Sequence, residues 1–105
     1  MPNYMKIASV AQVPPGSGMV ASLNDKEYAV FNVDGAFYVI DNICKHRGGP
    51  LGEGELEGET VTCPWHSWQY NVKTGACLTK DGIKMDSYEV RVEDGEIKIA
   101  VPEPS

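Results

Sequence analysis

The amino-acid sequence predicts an all-β protein, and three observations carry the prediction. Glycine and proline recur about every eight to twelve residues, as expected for short strands separated by turns. The apolar segments between them are short and rich in valine, isoleucine and tyrosine. No window has the length and periodicity of an amphipathic helix. The 105 residues match the length of one domain.

The elements follow in order. An opening strand is expected near Met5 to Val10, and Pro14-Pro15-Gly16-Ser17-Gly18 turns the chain into a second strand near Met19 to Leu23. That turn-rich stretch reads as a surface loop, because too few residues precede it to fold alone. Tyr28 to Val33 and Phe37 to Asn42 flank Asp34-Gly35, while Tyr88 to Glu93 and Glu96 to Val101 flank Asp94-Gly95. Each pair predicts a hairpin with a type I′ turn, in which both central residues take positive φ. In the later hairpin Tyr88, Val90, Val92, Ile97, Ile99 and Val101 alternate with charged residues, which predicts one buried face. From Cys44 to Gly75 the strand-like runs shrink to Glu59 to Thr62 and Gln69 to Val72. Pro102 and Pro104 end the last strand and predict a frayed tail.

Hydrophobic residues at 42% and charged residues at 23% suit an ordinary globular protein. A formal charge of −6 argues against non-specific binding to nucleic acid or anionic lipid and favours a partner with a basic surface. Met1 to Val10 has no signal-peptide core and no stretch is long enough to span a membrane, so a cytoplasmic protein is expected. Three cysteines do not make a disulfide framework. In a reducing compartment they point instead to metal ligands, redox groups or buried apolar residues.

Both histidines and two of the three cysteines fall into two short motifs, Cys44-Lys45-His46 and Cys63-Pro64-Trp65-His66. Each sets a thiolate and an imidazole close together on a loop. The sixteen residues between His46 and Cys63 suffice for a hairpin that brings the loops together. Four ligands could then converge. Tetrahedral zinc accepts the same donors, although zinc fingers usually pair cysteine with cysteine and histidine with histidine across a helix.

The C-x-H and C-x-x-H motifs, with Gly48-Gly49-Pro50-Leu51 after the first, resemble the Rieske family. The strand texture on either side resembles the soluble Rieske ferredoxins across essentially the whole chain. The resemblance implies a single Rieske domain over residues 1–105. It would be an antiparallel β-sandwich with a small cluster-binding subdomain, about residues 43–75, made of two loops. It also implies one [2Fe-2S] cluster, with Cys44 and Cys63 on one iron and His46 and His66 on the other, nearer solvent. The implied activity is that of a monomeric electron carrier, not an enzyme, between a flavin-dependent ferredoxin reductase and a terminal oxygenase. With both histidines used, the chain has no second histidine-carboxylate iron site. Two other readings are a Rieske subunit of a fixed complex such as a nitrite reductase, and a zinc-bound structural module.

Replacing two thiolates by neutral imidazoles leaves the oxidised centre formally uncharged. That raises its potential to roughly −150 to +300 mV, against about −400 mV for plant-type ferredoxins. Within the family, respiratory members of high potential carry an extra cysteine in each loop and a serine that donates to a bridging sulfide. Here Arg47 to Gly49 and Trp65 supply no cysteine, and Trp68 stands in the serine's place. Tyr70 matches the family's cluster-facing tyrosine. The resemblance therefore implies a low-potential member. Many members also cover the cluster with a proline-containing loop, and Lys80-Asp81-Gly82-Ile83-Lys84 has no proline.

Cys77 is expected to be a buried apolar residue. Trp65 and Trp68 are expected to shield the cluster from water. Lys45 and Arg47 read either as solvated loop charges or as docking contacts. Asp25, Glu53, Glu55, Glu57 and Glu59 read as a solvated strand face, with a docking patch as the functional alternative.

Overall fold

A computed structural model describes residues 3–23, 26–42, 51–64, 68–79 and 82–101, with the side chains of Asn3 and Val101 excepted. The strands are Asn3–Ser9 (β1), Gly18–Leu23 (β2), Lys26–Val33 (β3), Ala36–Asp41 (β4), Glu55–Glu57 (β5), Thr60–Thr62 (β6), Gln69–Asn71 (β7), Ser87–Tyr88 (β8), Val90–Glu93 (β9) and Glu96–Val101 (β10). They form three antiparallel sheets, ordered β1-β10-β9, β2-β3-β4-β8 and β5-β6-β7. The all-β expectation holds. The expected tail, Pro102 to Ser105, lies outside the described residues.

The second sheet is the middle layer, because β3 buries both of its faces. Tyr28 and Val30 join Ala8, Val13, Ala21, Val39, Ile97 and Ile99 in a core shared with the first sheet. Ala29 and Phe31 point the other way, into a core with Ile40, Leu51, Val61, Cys63, Tyr70, Val72, Cys77 and Met85. A strand covered on both sides must be apolar at consecutive positions, and Tyr28-Ala29-Val30-Phe31 is such a run. Each large side chain buried in this way contributes about 1.5–3 kcal/mol. The sandwich and the small third sheet are therefore fastened to opposite faces of one hairpin.

Both predicted turns are present. Asp34 and Gly35 have φ of 51° and 94°, and Asp94 and Gly95 have 52° and 76°, as a type I′ turn requires. The strand expected over Tyr88 to Glu93 is instead split between two sheets. Tyr88 pairs with Val39 of β4, whereas Val90 pairs with Ile99 of β10. Between them the Glu89 carbonyl accepts the Ala100 N–H at 3.0 Å, and the chain passes from one layer to the next. Val92 is 47% exposed, because β9 is the edge strand of its sheet and leaves that side chain uncovered. The opening strand ends at Ser9 rather than Val10, where Gln12 Oε1 accepts the Ser9 N–H at 2.8 Å and a 3-10 turn follows.

Tyr88 is held at this crossing by a polar cluster. Its hydroxyl donates to Asp41 Oδ1 at 2.6 Å and accepts from Lys26 Nζ at 2.7 Å, and Lys26 lies 3.0 Å from Asp41. The Lys26 ammonium sits 5.4 Å from the ring centres of both Tyr28 and Tyr88, which meet edge to face at 5.0 Å. Burial, with help from the Asp41 carboxylate, pushes the Tyr88 hydroxyl up to about 12. The bond to Tyr88 is the main reason that Lys26 is also held above its usual range. Both groups keep in the folded state protons that the unfolded chain releases at lower pH. Their contribution is therefore complete below about pH 10 and is lost as pH rises through the folded values. The urea midpoint should fall between about pH 10 and 12, and Tyr88→Phe, which lacks the titrating hydroxyl, should fall less steeply across that window. Parallel curves for the two proteins would contradict this account.

Candidate metal centre

The third sheet is built around the second motif. Glu55–Glu57 and Thr60–Thr62 form a hairpin between the two motifs, as the spacing predicted, and β7 adds to it after the second. In β5 the pattern exposes Glu55 and Glu57 and turns Leu56 toward the core. Val61 and Tyr70 face each other across β6 and β7, and both are fully buried.

Cys63 leaves the end of β6 and is 1% exposed, within the apolar cluster that holds Leu51, Val61 and Tyr70. Its N–H donates to the Trp68 carbonyl at 2.7 Å, which closes the base of the short segment 64–67. Trp68 is half-buried and packs against the same core. Segment 43–50 is closed in a similar way. The Leu51 and Gly52 N–H groups donate to the carbonyl and Oδ1 of Asn42 at 2.7 and 2.8 Å. Gly52 then runs so close to β2 that a Cβ there would lie 2.6 Å from the Met19 carbonyl oxygen, which only glycine avoids.

Of the four ligands expected from the sequence, Cys63 is among the described residues, buried just after β6. Cys44, His46 and His66 lie outside the described residues, as do Asp25, Lys45, Arg47 and Trp65. What the structure contributes is convergence. The segments carrying the two motifs start or end on a single buried cluster, through Leu51 and Cys63. Among the described residues no group of three or more histidine, cysteine, aspartate and glutamate side chains could hold a metal.

Two features lie beyond the sequence expectations. Asn42, just after β4, is fully buried. An amide shortly before the first motif, at the end of an apolar strand, is the signal that marks it. The second is a latch between layers. Lys73 Nζ lies 3.1 Å from Glu59 and 5.5 Å from the Tyr38 ring centre on β4. The bond to the Glu59 carboxylate is the main reason that Lys73 is held above its usual range. Glu53, Glu55, Glu57 and Glu59 are all exposed, and among the described residues only Glu59 has an ion-pair partner.

Beyond β7 the chain doubles back over the same core. Leu78 N–H donates to the Gln69 carbonyl at 2.7 Å, Cys77 N–H to Ile83 at 2.9 Å and Met85 N–H to Gly75 at 2.7 Å. Within the proline-free Lys80 to Lys84, Lys80 and Asp81 lie outside the described residues, while Ile83 packs on the core. Cys77 is buried in that core, as expected of an apolar residue.

Residues 3–98 match the Rieske [2Fe-2S] domain family. The 3-phenylpropionate/cinnamic acid dioxygenase ferredoxin subunit of Shigella flexneri is 37% identical over 103 residues, covering 96% of each chain. The solved ferredoxin of Sphingomonas yanoikuyae B1 is 32% identical with a TM-score of 0.87, covering 95% of this chain and all of its own. A ferredoxin solved with the oxygenase of carbazole 1,9a-dioxygenase is 28% identical with a TM-score of 0.81, covering 92% of each chain. A nitrite reductase small subunit from Mycobacterium tuberculosis, at 21% identity and a TM-score of 0.87, shares the fold.

Cys77 is packed in the apolar core, so Cys77→Ala should keep the visible absorbance of the wild-type protein and lower its stability by about 1 kcal/mol. Bleaching of the variant would mean that the thiol is needed to hold the metal.

Proposed function

The chain belongs to the Rieske [2Fe-2S] domain family, and from that premise we propose that it carries single electrons to the terminal oxygenase of a ring-hydroxylating dioxygenase system. The observation that carries this reading is the buried Cys63 at the base of a loop whose neighbours share a core with the end of the other motif segment. Relatives of nearly the same length are named as ferredoxin components, which favours a free carrier over a subunit of a fixed complex.

In the proposed ligand set Cys44 and Cys63 hold one iron, and His46 and His66 hold the other. The donor chemistry fits: two thiolates and two neutral imidazoles leave the oxidised centre formally uncharged, which suits a site backed by apolar side chains. When bound, the cluster supplies reversible one-electron chemistry. The chain supplies the rest. Leu51, Val61, Tyr70 and Trp68 exclude water from the buried side, and the hydrogen bonds at the two segment bases hold the donors in register. Trp68 presents an indole where a hydroxyl donor would raise the potential, so a value toward the lower end of the Rieske range belongs to the proposal. Monomeric behaviour and a reducing, cytoplasmic setting, in which cysteines stay available as ligands, also belong to it.

His46→Cys or Cys63→Ala should abolish the reduced-state electron paramagnetic resonance spectrum of a two-histidine cluster, because nothing else in the chain replaces either ligand in kind. An unchanged spectrum in either variant would remove that residue from the ligand set.

The partners proposed are a flavin-dependent reductase, which loads the electron, and the oxygenase that receives it. Small electron-transfer encounters bury less than about 1,200 Å² and rely on charge for their rate. The exposed Glu53, Glu55 and Glu57 and the net charge of −6 therefore call for a basic patch on the partner. Reduction by the cognate reductase should slow as salt rises, since charges beyond about 8 Å are screened at physiological ionic strength. A rate that stays flat across the titration would remove steering from the mechanism and leave the ligand set standing.

A further inference from the structure

We propose that Asn42 is a positioning residue for the cluster, fastening together the two ends of segment 43–50, which carries Cys44 and His46. The inference rests on the ligand set proposed above. Among the described residues two polar side chains are buried, Asn32 at 3% and Asn42 at 0% exposure. They stand at opposite ends of the β3–β4 hairpin and do comparable work there. Asn32 Oδ1 accepts the Gly35 N–H at 2.7 Å, and its Nδ2 donates to the Val13 carbonyl at 2.7 Å. That side chain closes a turn far along the chain from both motifs.

Asn42 closes the motif segment instead. Its carbonyl accepts the Leu51 N–H at 2.7 Å, its Oδ1 accepts the Gly52 N–H at 2.8 Å, and its Nδ2 faces Glu27 Oε1 on β3 at 3.4 Å. Leu51 and Gly52 are both buried, so neither N–H could turn to water if these acceptors were withdrawn. Gly52 is also pressed against the Met19 backbone, which stops this end of the segment from sliding toward β2. An amide suits the position because it accepts from Gly52 while donating toward a carboxylate. Aspartate would keep the acceptor but set a like charge against Glu27, and alanine would provide neither. Cys44 is two residues beyond Asn42, so the clasp sits at the root of the first ligand pair.

The test compares Asn42→Ala with Asn32→Ala as loaded proteins. The second variant removes the same kind of buried amide from the other end of the hairpin. Both should lower the urea midpoint, as any loss of a buried acceptor would. Only Asn42→Ala should shift the g-values of the dithionite-reduced protein, and under a chelator at equal fraction folded it should lose iron about tenfold faster than Asn32→Ala. Wild-type g-values together with iron loss equal to that of Asn32→Ala would overturn the proposal. Should Asn42→Ala not fold, Asn42→Asp is compared with the Asn42→Asp/Glu27→Gln double variant, in which the amide introduced on β3 donates to the new carboxylate. The double variant should recover the wild-type spectrum and retention of iron, and a double variant no better than the single would overturn the proposal. Failure of the ligand set reads differently: a Cys44→Ala protein that keeps the two-histidine spectrum would remove Cys44 as a ligand, whatever the Asn42 variants do.

Discussion

The burial of β3 on both faces is the constraint on which the rest of the structure depends. One face, through Tyr28 and Val30, completes the sandwich core, and the other, through Ala29 and Phe31, receives the small sheet that carries Cys63. Neither core closes without this strand. A polar residue at any of the four positions would place an unsatisfied group inside one core or the other, so the strand cannot alternate as an ordinary half-exposed strand does. The same double burial sets Cys63 and Leu51 on a packed apolar floor. Loops tolerate change and movement, and a loop-borne site gains its geometry from the scaffold beneath it.

How much of this was legible in the sequence depended on whether the signal was local. The Asp-Gly turns were legible because type I′ geometry is a property of two residues, and both turns are where they were expected. The hairpin between the motifs followed from spacing alone. The split at Glu89 was not legible, since Tyr88 and Val90 keep the alternation of one strand while pairing with different sheets. Alternation reports which way a side chain points, not which sheet it points into. The three-residue strand β5 was hidden for a related reason, as Glu55-Leu56-Glu57 has a single apolar position and looks like a charged loop. The candidate site divides in the same way. Cysteine and histidine at short spacing announce metal chemistry without any structure. The role of Asn42 depends on partners nine and ten residues away, which no local pattern reveals.

Both motif segments are closed at their bases by backbone hydrogen bonds, Cys63 to Trp68 in one and Leu51 to Asn42 in the other. A closed base leaves fewer conformations for the chain between, so the entropy of gathering ligands is met largely by the fold before any metal binds. In the proposed ligand set the two donor pairs would depend on the shared core for their separation, and Leu51 and Cys63 lie in that core together.

Exposed carboxylates on the third sheet are left outside the ion pairs of the described residues. Most of the described cations are already engaged: Lys6 with Glu96, Lys26 with Asp41, Lys73 with Glu59, Lys98 with Glu93, and Arg91 over the Tyr4 ring at 4.4 Å. Exposed pairs of this kind add little stability, at most about 1 kcal/mol each. Their larger effect is on the field. They cancel acidic charge where they occur, and Glu53, Glu55 and Glu57, on β5 and its approach, stand with Asp34, Asp86 and Asp94 among the described carboxylates outside these pairs. Because β5 pairs directly with β6, which ends at Cys63, the charge of Glu55 and Glu57 lies on the sheet that carries the candidate centre. A partner drawn by charge would thus find three exposed carboxylates close together on the third sheet and its approach. On the proposed reading these carboxylates would set the direction of approach, while the buried core around Cys63 would keep the donors in place through the encounter.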